Sequence, residues 1–271
     1  MPEGHTLHRL ANRQRKLLGG KTVAVTSPQG RFAEGAALVD GMVFYTAEAW
    51  GKHLIQRYRQ TARTQRGERL IHVHLGLYGA FSEQASPMAP PVGQVRMRIE
   101  AADIGVDLRG PTACQIYTPA DLDALIARLG PDPLRRDAEP ERALRAITKS
   151  TRPIGALLMD QKVIAGVGNV YRAEVLFRAG IDPYTQGTRI TRDEFDALWA
   201  DLVSLMRVGV RKGRIHVMRP ADDHGAPSYA PDRPRTYVYR RSGEDCRICG
   251  TTIAHGVLDG RNLFWCPACQ Q

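Results

Sequence analysis

Two matched Cys-x-x-Cys pairs close the chain, Cys246-Arg-Ile-Cys249 and Cys266-Pro-Ala-Cys269, with sixteen residues between them. Each pair brings two thiolates to one ion from the same side, and the stretch between is long enough to return as a hairpin. The spacing predicts one tetrahedral structural zinc ion held by Cys246, Cys249, Cys266 and Cys269. Two disulfides would use the same four residues. Against them, no apolar secretory core opens the sequence, and the fifth cysteine, Cys114, is left without a partner. A small zinc ribbon in a basic protein points towards nucleic acid.

The formal net charge of +10 over 271 residues favours a polyanionic partner. Of 38 basic residues only six are lysines, leaving 32 arginines. Arginine's planar fork suits bidentate contact with phosphate, although a GC-rich genome also raises arginine together with alanine. No apolar run reaches the ~20 residues of a membrane span. The expectation is an intracellular protein, cytoplasmic and associated with the nucleoid.

Residues 3–18 carry an approximate helical stripe of Leu7, Leu10, Ala11, Leu17 and Leu18, ended by Gly19-Gly20. Short strands are predicted over 23–25, 42–44, 53–58, 70–75, 95–99 and 104–108, separated by Gly, Pro and charged turns. In the fourth, Ile71, Val73 and Leu75 alternate with His72 and His74, which read as polar-face residues because no third metal ligand is near in sequence. Helices are predicted from Thr118 to Leu129 and over 140–149, 154–161, 170–179 and 191–212, the last opened by the capping box Thr191-Arg-Asp-Glu194. Gly213–Arg235 lacks periodicity and reads as a long loop, a linker or a lid, and Thr236–Arg240 is expected to start the ribbon.

Four fragments carry chemistry. Pro2 is small enough for the initiator Met to be removed, which exposes a secondary amine. The iminium that such an amine forms with a sugar aldehyde has no nitrogen proton to lose and stays an electron sink for β-elimination. Glu3 beside it suits proton transfer, although Pro-Glu is also an ordinary helix opening. Gly166-Val-Gly168-Asn169 enters a helix, where backbone N–H groups and the dipole favour an anion, and Asn169 adds a side-chain donor. The same residues would serve a tight turn between packed helices. Arg261 lies near the tip of the expected zinc hairpin, which would hold its guanidinium rigidly, or it is a solvated turn residue. Leu77-Tyr78, between Gly76 and Gly79, suits a wedge entering a base stack, or a piece of local core.

In this order the fragments resemble the Fpg/Nei family of DNA glycosylases, essentially end to end. The resemblance is carried by MPEG at the start, GKHL in the strand region, LMDQKVIAGVGNVYRAEVLFRAGIDP in the helices and LFWCPACQQ at the end. Leu77-Tyr78 and FWCPACQ are similar to the endonuclease VIII (Nei) branch, and MPEGHTLHRLA to its actinobacterial form. Where that branch often has a polar residue before the Leu-Tyr pair, this chain has Gly76.

The resemblance implies an α+β fold of two domains. These are an N-terminal β-sandwich with a packed N-terminal helix and a helical helix–two-turn–helix domain bearing the zinc hairpin. The expected boundaries are a catalytic sandwich over 1–118, a linker with a helix over 119–135, the helical domain with its loop over 136–235, and the zinc finger over 236–271. It implies a bifunctional DNA glycosylase/AP lyase of base excision repair that removes oxidised bases, pyrimidines preferred, and cleaves the strand by β,δ-elimination through an N-terminal proline iminium. The alternatives are the same chemistry on 8-oxoguanine or formamidopyrimidines, or a non-catalytic zinc-ribbon protein that binds damaged DNA. Pro2 would attack C1′, Glu3 would act as acid and base, and Lys52 would contact phosphate beside the lesion. Asn169 and Arg261 would hold phosphates on either side of the extruded nucleotide, and Leu77 and Tyr78 would fill the gap. The expected partner is damaged double-stranded DNA, with single-stranded or bubble DNA as a further form, bound by a monomer.

Overall fold

The computed structural model describes residues 2–63, 65–223 and 235–271. The chain divides into two compact units, Met1–Arg128 and Leu129–Gln271. In the first, α1 (Gly4–Leu18) precedes β1 (Ala24–Thr26) and a short α2 (Ala33–Ala37). The strands β2 (Val43–Trp50), β3 (His53–Arg59), β4 (Arg69–His74) and β5 (Ala80–Ala85) follow. Then come β6 (Val95–Glu100), β7 (Ile104–Arg109), β8 (Ala113–Tyr117) and α3 (Pro119–Arg128).

The strands form two antiparallel sheets, ordered β1-β6-β7-β5 and β2-β3-β4-β8. Period-2 alternation turns Phe44, Leu54, Ile71, Met97 and Leu108 into one shared core, and the buried stripe Leu7, Ala11 and Leu18 packs α1 against β2 and β3. Across β6 and β7, Arg98 faces Asp107 and grips its carboxylate with Nε and Nη2 at 2.8 and 2.9 Å. The fork pairing satisfies an aspartate with no solvent exposure. β5, β8 and α2 go beyond the predicted elements. Both strands lie at sheet edges, and β5 is largely exposed, so no apolar alternation marks it. Thr118 caps α3 as its sequence suggested: its hydroxyl accepts from the Asp121 N–H at 3.1 Å, and the Asp121 carboxylate accepts from the Thr118 N–H at 2.9 Å.

The second unit contains α4 (Pro140–Thr148), α5 (Ile154–Leu157), α6 (Asn169–Ala179), α7 (Arg192–Lys212) and a hairpin of β9 (Ala254–Leu258) and β10 (Arg261–Trp265). The helix predicted over 154–161 ends after one turn at Leu157. Gln161 explains the stop: its amide donates to the Met159 and Val167 carbonyls at 3.0 and 2.9 Å and accepts from the Gly166 N–H at 2.9 Å. These bonds hold the chain in a tight turn, with Gly166 at φ +90°. The capping box of α7 is complete, and left-handed Gly180 and Gly213 close α6 and α7. Among the described residues of the loop expected over 213–235 there is one 3₁₀ turn, Pro220–Asp222, and 224–234 lie outside the described residues.

The ribbon does not begin at Thr236–Arg240, which forms no strand. Instead the Tyr237, Val238 and Tyr239 N–H groups all donate to the Glu174 carboxylate of α6, at 2.7, 3.0 and 2.7 Å. Burial raises the Glu174 pKa, and the three N–H donors oppose that rise. Glu174→Ala leaves three N–H groups without their acceptor and is expected to cost about 3 kcal/mol in urea unfolding. An unchanged midpoint would contradict this role.

Candidate active site

Pro2 is half-buried and Glu3 1% exposed, immediately ahead of α1. Glu3 has extended backbone (φ −112°, ψ 176°), and its carbonyl accepts from the Thr6 N–H at 2.8 Å, which starts the helix. Its carboxylate therefore sits at a helix N-terminus, where the dipole favours negative charge. Two residues on, burial pushes the His5 pKa down to about 4, so that ring is neutral at physiological pH.

Lys52 occupies a two-residue turn, because Trp50 pairs with His53 and only Gly51 and Lys52 intervene. Gly51 has φ +58°, the backbone such a turn demands at its first central residue. The Lys52 charge acts on both His53 and His74. His53 Nδ1 lies 2.8 Å from His72 Nε2, and the His72 ring stacks on Tyr117 with centroids 4.4 Å apart. Burial drives the His53 pKa down to about 3 and that of His72 to about 4, and lowers His74. Sequence order alone hid His53 from the His72–His74 pair, because it joins them only through the β3–β4 register.

Leu77 and Tyr78 are 57% and 85% exposed and do not belong to the core. Their turn is rigidly held: the Gly79 N–H donates to the Leu75 carbonyl at 2.9 Å and the Gly76 N–H to His74 Nδ1 at 3.2 Å. Gly76 has φ +65°, and a Cβ there would run into the Thr112 hydroxyl. The turn thus requires a glycine at position 76.

In the second unit, Asn169 opens α6 and Arg261 opens β10. The preceding Asp259 and Gly260 have φ +47° and +70°, the pattern of a two-residue Asp-Gly hairpin turn. Asn169 Nδ2 donates to the Asn262 carbonyl at 2.9 Å, and Arg172 Nη2 donates to the same oxygen at 2.6 Å and to Asn169 Oδ1. The helix start and the hairpin tip are therefore one bonded group. Arg152 adds a second tie, with Nη1 3.1 Å from Asp160 Oδ2 and Nη2 3.0 Å from Asp259 Oδ2. Neither Arg172 nor Arg152 figured among the expected residues. Charged residues interspersed among the apolar positions of α6 were the available signal for Arg172, which is fully buried.

The ligand atoms of Cys246, Cys249, Cys266 and Cys269 all lie within 4.8 Å of one another, with Cys246–Cys269 at 3.8 Å and Cys249–Cys266 at 3.5 Å. A zinc tetrahedron with arms of about 2.3 Å has edges near 3.8 Å, so the donor set fits. All five cysteines are free thiols, which removes the disulfide alternative. Hydrogen bonds from Thr251 bring the Cys249 thiol down to about 6, towards the thiolate that binds metal. Among the described residues this is the one convergent group of three or more potential ligands, and the three histidines do not form another. Burial raises Cys114 to about 12, leaving it an inert core thiol.

Residues 1–113 match the formamidopyrimidine-DNA glycosylase N-terminal domain, 129–219 its H2TH domain, and 243–271 the zinc finger found in FPG and IleRS. Endonuclease 8 1 of Mycobacterium tuberculosis (strain ATCC 25618 / H37Rv) is 58% identical, with both chains covered in full. The chain belongs to the Fpg/Nei family of DNA glycosylases. A formamidopyrimidine-DNA glycosylase of Parasynechococcus marenigrum (strain WH8102) is 31% identical over 100% of this chain and 99% of its own. The Lactococcus lactis Fpg in complex with abasic site-containing DNA shares the Fpg/Nei fold, with a TM-score of 0.80 at 19% identity and 99% of each chain covered. The zinc finger and the four converging thiols give this family member one structural zinc. No helix among the described residues is long and apolar enough to cross a membrane.

Two measurements check the site. Cys249→Ala is expected to lower bound zinc well below one per chain by elemental analysis, and Cys114→Ala to leave it at one. His53 and His72 titrate near 3 and 4 when folded, against 6.5 for the reference imidazole, so the unfolded chain takes up protons first on acidification. Their contribution to stability is complete above about 6.5 and is lost as pH falls towards 3. The melting temperature should drop over that window, and less steeply in His72→Phe. Equal slopes in the two proteins would contradict the buried neutral state.

Proposed function

We propose that this Fpg/Nei protein is a bifunctional DNA glycosylase and AP lyase that removes oxidised bases, pyrimidines first, from duplex DNA in the nucleoid. The observation that carries this reading is the pairing of Pro2 with a buried Glu3 at the first turn of a docked helix, in a chain 58% identical to an endonuclease 8. With Met1 removed, the Pro2 nitrogen attacks C1′ as the bond to the damaged base breaks. Glu3 moves protons between the nitrogen, the sugar ring oxygen and the departing base. Ring opening yields an iminium on Pro2, whose positive nitrogen draws electrons from the C2′–H bond. The 3′ phosphate leaves in β-elimination and the 5′ phosphate in δ-elimination.

The base must leave the stack before C1′ can be reached. Exposed Leu77 and Tyr78 on their fixed turn suit the vacated space. Lys52, Asn169 and Arg261 suit the flanking phosphates, which accords with the net charge of +10 and implies salt-sensitive binding. Solved relatives of the same fold hold abasic-site and Fapy-dG DNA, which supports a damaged nucleotide as ligand. The identity to curated formamidopyrimidine-DNA glycosylases supports the same chemistry on 8-oxoguanine or formamidopyrimidines as a second reading.

Borohydride in the presence of thymine-glycol duplex is expected to trap a covalent protein–DNA adduct through residue 2. No adduct, or full yield from Pro2→Gly, would sink the mechanism. Paired excision assays on thymine-glycol and 8-oxoguanine duplexes separate the two lesion classes, with faster release of thymine glycol expected. A non-catalytic DNA-binding protein would release neither base.

A further inference from the structure

The catalytic scheme makes no use of the histidines grouped behind Lys52. His53 immediately follows that lysine and begins β3. His72 lies on β4, 3% exposed, sandwiched between His53 and the ring of Tyr117 on β8. One hydrogen bond, His53 Nδ1 to His72 Nε2 at 2.8 Å, therefore spans the first residue after the lysine turn and the middle of the sheet. It requires at least one neutral ring, since both nitrogens of an imidazolium donate. The charges facing this pair are those of Lys52 and Arg128, with His74 alongside, and none is acidic. His74 accepts from the Gly76 N–H at Nδ1, so its proton is on Nε2. The three rings do not converge on a point that would hold a metal.

Such an arrangement costs free energy. Among the described residues, His72 Nδ1 is buried without a hydrogen-bond partner, and an apolar ring would fill the same space without that penalty. Retaining an imidazole there makes sense if its other nitrogen has a task.

We propose that His53 and His72 are a positioning pair for Lys52: their hydrogen bond locks the residue after the lysine turn onto β4, and their neutrality keeps a second positive charge away from the lysine. This rests on the reading of Lys52 as a phosphate ligand. Neither imidazole touches the substrate in this account. Burial keeps both rings uncharged throughout the physiological range, so the device is static, a fixed hydrogen bond.

A double-mutant cycle on the full-length, zinc-loaded protein tests it, with binding of a duplex carrying a tetrahydrofuran abasic-site analogue measured over a salt series. Lys52→Ala should weaken binding and flatten the slope of log Kd against log salt by about one. His72→Phe preserves the ring and its stacking but not the bond. It should weaken binding about three- to tenfold and flatten the slope in the same direction, with no further loss when added to Lys52→Ala. His72→Gln, whose amide reaches the Nε2 position, should recover most of the affinity. Should His72→Phe fail to fold by its melting curve, His53→Leu cuts the same bond from the half-buried side. Wild-type affinity and slope in a folded His72→Phe or His53→Leu, or losses additive with Lys52→Ala, would overturn the pair while leaving the lysine reading intact. If Lys52→Ala itself binds as wild type, the lysine reading fails and the inference falls with it.

Discussion

A closed shell of four thiolates constrains the second unit more than any other interaction. It leaves the zinc no open position for water or substrate, so the metal's contribution is to shape. Cys246 and Cys266 sit in the same apolar core as Ile253, Phe264 and the inner faces of α6 and α7, which makes the hairpin part of the helical unit. The tail is tied down as well, because Gln270 donates to the Ile181 carbonyl and accepts from the Cys266 N–H, both at 2.9 Å. With the metal in place, the Asn262 carbonyl is presented to Asn169 and Arg172, and two candidate phosphate ligands keep one register.

The N-terminal segment obeys a different constraint. In the proposed chemistry the nucleophile is residue 2, two residues ahead of α1, so its position depends on the helix that follows. The buried stripe of α1 supplies that anchorage, and Glu3 is carried into a water-poor setting, which suits the proton transfer proposed for it. Lys52 gains order by another route, a tight turn closed by the Trp50–His53 pair. Rigid secondary structure thus stands directly behind each of these small groups, as the proposed chemistry would require of its geometry.

Much of this was legible in the sequence where local chemistry is self-contained. The Cys-x-x-Cys spacing, the Thr191–Glu194 box and the stripe of α1 each encode their structure within a few residues. What was hidden depends on register and long-range bonding. β5 and β8 are edge strands without a core pattern, and α5 stops early because one side chain, Gln161, gathers the backbone that follows. Glu174 captures 237–239 from more than sixty residues away. His53 meets His72 only once β3 and β4 are paired. No periodicity announces such contacts.

Zinc-stripped protein tests most directly whether the metal stands apart from the proposed chemistry. Reductive alkylation by a small sugar aldehyde with cyanoborohydride reports the reactivity of the residue 2 amine without requiring DNA, and affinity for abasic-analogue duplex reports the phosphate grip. Stripping should abolish the affinity while peptide mapping finds residue 2 alkylated at the rate of the zinc-loaded protein. Loss of both together, or of the alkylation alone, would contradict the account.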